Sequence, residues 1–232
     1  MSYSRLTWSI EPKVVGVKDG VGPCYLDKEF YERNPWYTQI FLPVIPAEDW
    51  WKPRANMPDY GQALLQIPME KEACHTDFID FGGFQHGYII NNRLRELLEG
   101  AHLPRHRYLP ASFVQGDNEI TGYWWLCYDL ETGKDRVDFA KSEFAPSRFS
   151  SGKHFSISSY SDYMQIIEGT GEAVQATKLC FNSSFDQELD IWGTQFLSGV
   201  KGYISDKLLR NFERHNITGY ATRRLQCSLL FT

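Results

Sequence analysis

The chain of 232 residues lacks the features that mark membrane proteins and nucleic-acid-binding proteins. No uninterrupted apolar run approaches the roughly 20 residues that a helix needs to cross a bilayer, and the first residues lack the apolar segment of a signal peptide. Basic residues are not in excess, since 24 Lys and Arg stand against 29 Asp and Glu, a formal net charge of −5. Nucleic acid and anionic lipid both attract basic surfaces. The composition therefore predicts a cytoplasmic protein that binds neither a membrane nor nucleic acid.

Paired cysteines are also lacking. The five cysteines lie far apart and none forms a C-x-x-C pair, while Cys127 and Cys180 lie inside apolar, strand-like runs. Reduced and buried thiols are the interpretation that fits such a chain.

The motifs of common enzyme classes are missing from the sequence as well. There is no G-x-S-x-G and no H-E-x-x-H motif, and the glycines before residue 90 match no phosphate-binding fingerprint. The densest group of metal-capable residues, Cys74-His75 with Asp77 and Asp80, is also typical of a solvated loop. The sequence therefore predicts no catalytic residues, no cofactor and no metal site, although distant residues could still meet in the fold.

Aromatic residues, by contrast, are plentiful. They make up 15% of the chain, with 7 Trp, 13 Tyr and 15 Phe, and such rings favour strands, packed cores and protein-binding surfaces. Prolines are concentrated in residues 1–75, where they exclude long helices. We therefore expect a proline-rich N-terminal region with short strands, for example at residues 6–10, and a short helix at 60–67. This region would pack on a main body at residues 76–232.

Two segments, near residues 78–110 and 191–225, share a pattern of a short strand, a capped amphipathic helix and a further strand. Asn91 or Asn92 can cap the first helix and Gly100 can end it, while Ser205 takes the capping position in the second. The pattern predicts an α+β fold of mixed or antiparallel sheets with few helices, in two lobes related by internal duplication. The residues that match at a constant spacing of 114 are Ile90 and Ile204, Arg93 and Lys207, Leu94 and Leu208, Leu98 and Phe212, Glu99 and Glu213, and Leu103 and Ile217.

The residues between these segments have the pattern of a hairpin. The run Tyr123-Trp124-Trp125-Leu126-Cys127-Tyr128 is typical of an aromatic strand, and Glu131-Thr132-Gly133-Lys134 of a turn. Residues 136–139 would then be the return strand. The polar residues 147–161 are expected to form a loop with one short strand, and residues 178–181 a further strand.

The repeated pattern resembles a motif of bacterial immunity proteins. Its first copy reads Gly87-Tyr88-Ile89-Ile90-Asn91-Asn92-Arg93-Leu94-Arg95-Glu96-Leu97-Leu98, then Leu103-Pro104 and Tyr108-Leu109-Pro110; its second reads Gly202-Tyr203-Ile204-Ser205-Asp206-Lys207-Leu208, then Ile217-Thr218-Gly219-Tyr220. Between the copies, Asp138-Phe139-Ala140-Lys141-Ser142-Glu143-Phe144 is similar to a further signature of the same proteins. The likeness covers roughly residues 75–225 and is to polymorphic-toxin immunity families eleven and forty-three.

The resemblance implies an inhibitor rather than an enzyme. Members of such families bind and neutralise a cognate toxin domain, encoded by an adjacent gene and delivered as an effector between competing bacteria, and they carry no catalytic residues. The partner's active or functional surface would be occluded by aromatic anchors with an acidic rim, which would suit a basic toxin. Loops that combine rings with carboxylates indicate the candidate partner-binding residues Trp50, Trp51, Asp77, Asp80, Phe81 and His86.

Two other functions stay open on the same residues. A hydrolase would have its site between the two repeated units, in a deep polar pocket that joins carboxylates and histidines from both. A carbohydrate- or peptide-binding module would use Trp124, Trp125 and Trp192, although rings in apolar, strand-like runs are typical of a core.

Overall fold

The structure of the protein, a computed structural model, describes residues 2–18, 22–37, 64–79, 87–129, 134–146, 154–170, 174–197 and 202–232. The strands in these ranges are β1 (Tyr3–Trp8), β2 (Leu65–Pro68), β3 (Phe78–Ile79), β4 (Tyr88–Asn91), β5 (His106–Gln115), β6 (Asn118–Tyr128), β7 (Glu143–Pro146), β8 (Val174–Phe181), β9 (Ile191–Trp192), β10 (Tyr203–Ser205), β11 (Tyr220–Arg224) and β12 (Ser228–Phe231). The helices are α1 (Pro12–Val15), α2 (Lys28–Arg33), α3 (Asn92–Leu98), α4 (Tyr160–Thr170) and α5 (Asp206–Arg214), with a 3-10 helix at Phe139–Lys141.

The strands form three sheets. Their orders are β2-β5-β6-β4-β3, β11-β1-β10-β9 and β12-β8-β7. Most neighbours are antiparallel, while β2 runs parallel to β5 and β12 runs parallel to β8. The α+β class predicted from the sequence is therefore confirmed. Within the described ranges, no helix is long and apolar enough to span a membrane.

Helices α3 and α5 begin at the predicted caps. The side-chain oxygen of Asn91 accepts a hydrogen bond from the backbone N–H of Leu94 at 3.0 Å, and the hydroxyl oxygen of Ser205 accepts one from Leu208 at 3.1 Å. These bonds provide partners for amides that the first turn of a helix cannot satisfy internally. The inward-facing residues are Leu94 and Leu98 in α3, and Leu208 and Phe212 in α5.

The two segments that share the sequence pattern fold alike. β3 pairs with β4 in the first, and β9 pairs with β10 in the second; both pairs are antiparallel, and a helix follows the second strand directly. The strand after each helix lies in the same sheet and is separated from the strand before that helix by one other strand: β5 from β4, and β11 from β10. The matching pairs are Phe78 with Ile90 and Ile191 with Ile204, then Ile79 with Ile89 and Trp192 with Tyr203. We call these segments the first unit and the second unit; their duplication from one ancestor stays a prediction.

The first strand of the chain completes the second unit. β1 pairs with β10 on one side and with β11 on the other. In the first unit, the same place between β4 and β5 is filled by β6. The N-terminal region therefore contributes an interior strand to the sheet of the second unit. The predicted strand at residues 6–10 overlaps β1, whereas the predicted helix at 60–67 is wrong over its last residues, which belong to β2.

The two units share one apolar cluster. Leu94 and Leu98 of α3 pack in it with Leu208 and Phe212 of α5, and Ile90 and Ile204 contribute from the strands below. Burial of one such side chain stabilises a fold by about 1.5 to 3 kcal/mol. Two further clusters lie on the other faces of the sheets, and they bury Trp125 and Trp192 at 0% and 1% exposure. Helix packing therefore holds the two units side by side.

The hairpin pairing predicted for the middle of the chain is wrong. β6 pairs along its length with β5, not with residues 136–139, and the hairpin turns at Gly116-Asp117. Val137 instead forms an isolated bridge to Phe181, and Phe139 begins the 3-10 helix. In the predicted loop at 147–161, the described residues 154–159 lie outside helices and Phe155 bridges to Phe144, whereas Tyr160 and Ser161 begin helix α4. None of the five cysteines forms a disulfide bond, as expected, yet Cys74 is exposed whereas Cys24, Cys127 and Cys180 are buried.

Candidate functional site

A buried aspartate of the first unit holds the loop of the second. Asp77, directly before β3, is 5% exposed. Its Oδ2 accepts hydrogen bonds from the backbone N–H and the hydroxyl of Thr218, which follows α5, at 2.7 and 2.9 Å. The side chains of Asn91 and Arg93 approach the same carboxylate at 2.8 and 3.1 Å. Asp77 therefore orients the cap of α3 and also binds the loop that follows α5 in the second unit.

Asp190 makes the matching link in the other direction. It lies directly before β9, is 1% exposed, and accepts the backbone N–H of His102, in the loop after α3, at 3.0 Å. The Ser205 hydroxyl, which caps α5, donates to its Oδ1 at 2.6 Å, and Lys207 lies 3.2 Å from its Oδ2. Burial by itself raises the pKa of Asp190, but these hydrogen bonds outweigh it and hold the pKa below its ordinary value. We call the contacts of Asp77 and Asp190 the aspartate links.

A groove of about 310 Å³ lies between α3 and α5, next to Asp190. We call it the interhelical groove. Its apolar part combines aliphatic side chains with the small residues that follow α3, and its polar part comes mostly from α5. The lining residues are Leu97, Gly100 and Ala101 of the first unit and Asp190, Lys207, Leu208, Arg210, Asn211 and Arg214 of the second.

The interhelical groove is basic although the whole chain is acidic. Lys207, Arg210 and Arg214 lie along one face of α5, because spacings of three and four residues repeat the helical turn. Lys207 pairs with Asp190, so the charge of that carboxylate is balanced. Arg210 and Arg214 are exposed, and in the described part of the chain neither has an ion-pair or hydrogen-bond partner. The groove therefore presents two guanidinium groups to whatever enters it.

The groove exists where the two units differ. Gly100 and Ala101 follow α3, whereas the residues at the same spacing in the second unit are Arg214, the last residue of α5, and His215. On the opposite side, Arg93 donates hydrogen bonds to the backbone oxygens of His215 and Asn216 and so bridges the units. The small residues Gly100 and Ala101 therefore leave space beside α5.

Only one of the predicted partner-binding residues lies in the described part of the chain. Trp50, Trp51, Asp80, Phe81 and His86 lie outside it. Asp77 is described, and its side chain is buried in an aspartate link. The structure gives this residue a connecting role within the chain, and its contact with a partner stays a prediction. The lining of the interhelical groove was not indicated by sequence reasoning; the basic stripe on α5 was its one visible signal.

No protein-family model matches the chain, and no curated protein matches it.

The structure also bears on the residues of the hydrolase alternative. Asp190 is the carboxylate of the interhelical groove, and its links to three donors leave it ionised rather than poised to exchange protons. Asp186 lies 2.7 Å from His102 Nε2, and both side chains are about half exposed, at 45% and 50%. Burial opposes ionisation of Asp186, yet the hydrogen bonds from His102 and from the Glu188 amide lower its pKa. Both carboxylates act as hydrogen-bond acceptors within the fold.

The rings proposed for a carbohydrate-binding surface are divided between core and surface. Trp125 and Trp192 are fully buried. Trp124 is half-buried, and its indole N–H donates to the Asn92 side chain at 2.6 Å. The guanidinium of Arg95 lies 3.9 Å from the Trp124 ring centre and 4.9 Å from that of Tyr108. The described rings therefore form an arginine–aromatic stack rather than an open sugar platform.

Proposed function

We propose that the protein is an immunity protein that binds a cognate bacterial toxin domain and neutralises it by occluding its active or functional surface. The observation that carries the proposal is the interhelical groove between two matched units. Both walls are helices, and the aspartate links and a shared apolar cluster hold them together. A binding surface of this kind is formed before the partner arrives.

A preformed surface favours tight inhibition. Association costs free energy for each side chain and loop that must be ordered, so a surface ordered in advance retains more of its contact energy as affinity. The stack of Arg95 on Trp124 and Tyr108 adds anchors of the same kind, held between a helix and two strands. Arg, Trp and Tyr are the residue types that dominate the binding energy of protein interfaces. Occlusion requires no catalytic group on the inhibitor.

Co-expression with the toxin domain encoded by the adjacent gene tests the proposal. We expect survival of cells that make both proteins and co-purification of the two as a complex. In a titration of purified toxin, activity should fall in proportion to added protein and vanish near one equivalent, because each toxin molecule must be covered. A buffer-only titration and an unrelated protein of similar charge are the controls.

Two results would contradict the proposal. Absence of both survival and complex formation would remove the inhibitor function. Survival with far less than one equivalent of protein, and without a complex, would instead indicate enzymatic reversal of the toxin's damage, as in the hydrolase alternative.

A further inference from the structure

The interhelical groove has the chemistry of a site for carboxylates. Arg210 and Arg214 lie one turn apart on α5 and border the same space. A guanidinium group offers parallel N–H donors that match the two oxygens of a carboxylate. Leu97 and Leu208 in the same lining provide apolar surface for the methylene groups of an acidic side chain.

Local charge and overall charge differ in sign at this place. The chain as a whole carries −5 and would attract a basic partner. The groove lining holds three basic side chains against one carboxylate, and Lys207 already balances that carboxylate. A basic segment entering the groove would therefore meet like charges, whereas an acidic segment would pair with Arg210 and Arg214.

We infer that the interhelical groove receives an acidic segment of the partner protein, with Asp or Glu carboxylates paired to Arg210 and Arg214. This inference rests on the proposed function, since it names the chemistry of the segment by which the toxin domain is held. The small residues Gly100 and Ala101 give the segment its entry, because a longer side chain at either place would occupy the groove.

Binding of a fluorescein-labelled hexaglutamate peptide, followed by anisotropy, tests the groove directly. The double variant Arg210→Gln with Arg214→Gln should bind the peptide at least about tenfold more weakly, because two charge-assisted hydrogen bonds are lost. Arg223→Gln with Arg224→Gln is the matched control: it removes the same charge from exposed positions on β11, outside the groove lining. This control should change the affinity less than about twofold, as expected for an unspecific charge effect.

A steric variant separates shape from charge. A Cβ added to Gly100 meets only the backbone oxygen of Leu97, at 4.0 Å, so Gly100→Leu should fold while its side chain enters the groove. We expect this variant to lose peptide binding with all three basic residues intact. Melting curves of every variant show whether it is folded.

Four outcomes of the peptide experiment would overturn the inference. The first two are that the Arg210, Arg214 and the Arg223, Arg224 double variants weaken peptide binding equally, or that the Arg210, Arg214 double variant binds the peptide as tightly as the unaltered protein. The third is that Gly100→Leu binds the peptide normally. The fourth is that inorganic phosphate displaces the peptide as effectively as unlabelled peptide does, which would make the groove a site for free phosphate. Toxin neutralisation by the Arg210→Gln, Arg214→Gln protein at full strength would also overturn it and leave the proposed function intact. A toxin that even the unaltered protein fails to bind would overturn the proposed function itself.

Discussion

Replacing Asp190 by alanine is expected to lower the free energy of unfolding by about 3 kcal/mol, because buried donors lose their shared acceptor. The Ser205 hydroxyl and the His102 amide both donate to this carboxylate, and its side chain is 1% exposed. Urea denaturation at neutral pH measures the loss. Asp186→Ala is the matched control: that side chain is 45% exposed, and its contact with His102 should contribute no more than about 1 kcal/mol.

The contribution of Asp190 should also depend on pH. Its pKa is lower in the folded protein than in the unfolded chain, where an aspartate has a pKa of about 3.9. The folded state therefore binds its proton less readily, so the stabilisation is fully present above the unfolded pKa and is lost as the pH falls through the folded pKa. The difference in unfolding free energy between the unaltered protein and Asp190→Asn should be largest at neutral pH and shrink below about pH 4. A difference that stays constant with pH would contradict an ionised link.

Local sequence signals located the helices of the two units correctly. A capping residue and the apolar positions behind it lie within one short stretch of chain, so Asn91 and Ser205 could be recognised as caps without knowledge of the fold. Helix α4 carries a similar signal, since Ser159 Oγ accepts the backbone N–H of Asp162 at 3.1 Å. Its Ser-x-x-Asp pattern is hidden in a polar stretch that is equally typical of a loop.

Long-range pairing could not be predicted in the same way. β1 lies between strands that come about two hundred residues later. β6 pairs with β5 rather than with residues 136–139, and its two faces contribute to two different apolar clusters. The candidate site depends on the same kind of information. The basic stripe on α5 is visible in the sequence, but only the packing of the units brings Gly100 and Ala101 opposite it.

Replacing Gly219 by alanine is expected to destabilise the protein by about 3 kcal/mol or more and to lower its melting temperature by roughly 6 to 12 °C. Gly219 directly follows Thr218 and has a φ of +89°. Residues other than glycine adopt such a backbone conformation at a cost of about 1 kcal/mol. An added Cβ would also lie 2.1 Å from the backbone oxygen of Phe78 in β3. The backbone of β3 cannot move aside as a flexible side chain does. The clash would therefore push the second unit away from the first at the link between Asp77 and Thr218.

The variant Gly116→Ala separates the two causes of this loss. Gly116 also has a positive φ, +60°, but an added Cβ there meets nothing within 4 Å. It should cost only the conformational part, about 1 kcal/mol. Equal melting temperatures for the two variants would show that the close approach of Gly219 to β3 contributes nothing. A much lower melting temperature for Gly219→Ala would instead show that the contact between the units stabilises the whole fold, as expected if both helices of the groove depend on that contact for their positions.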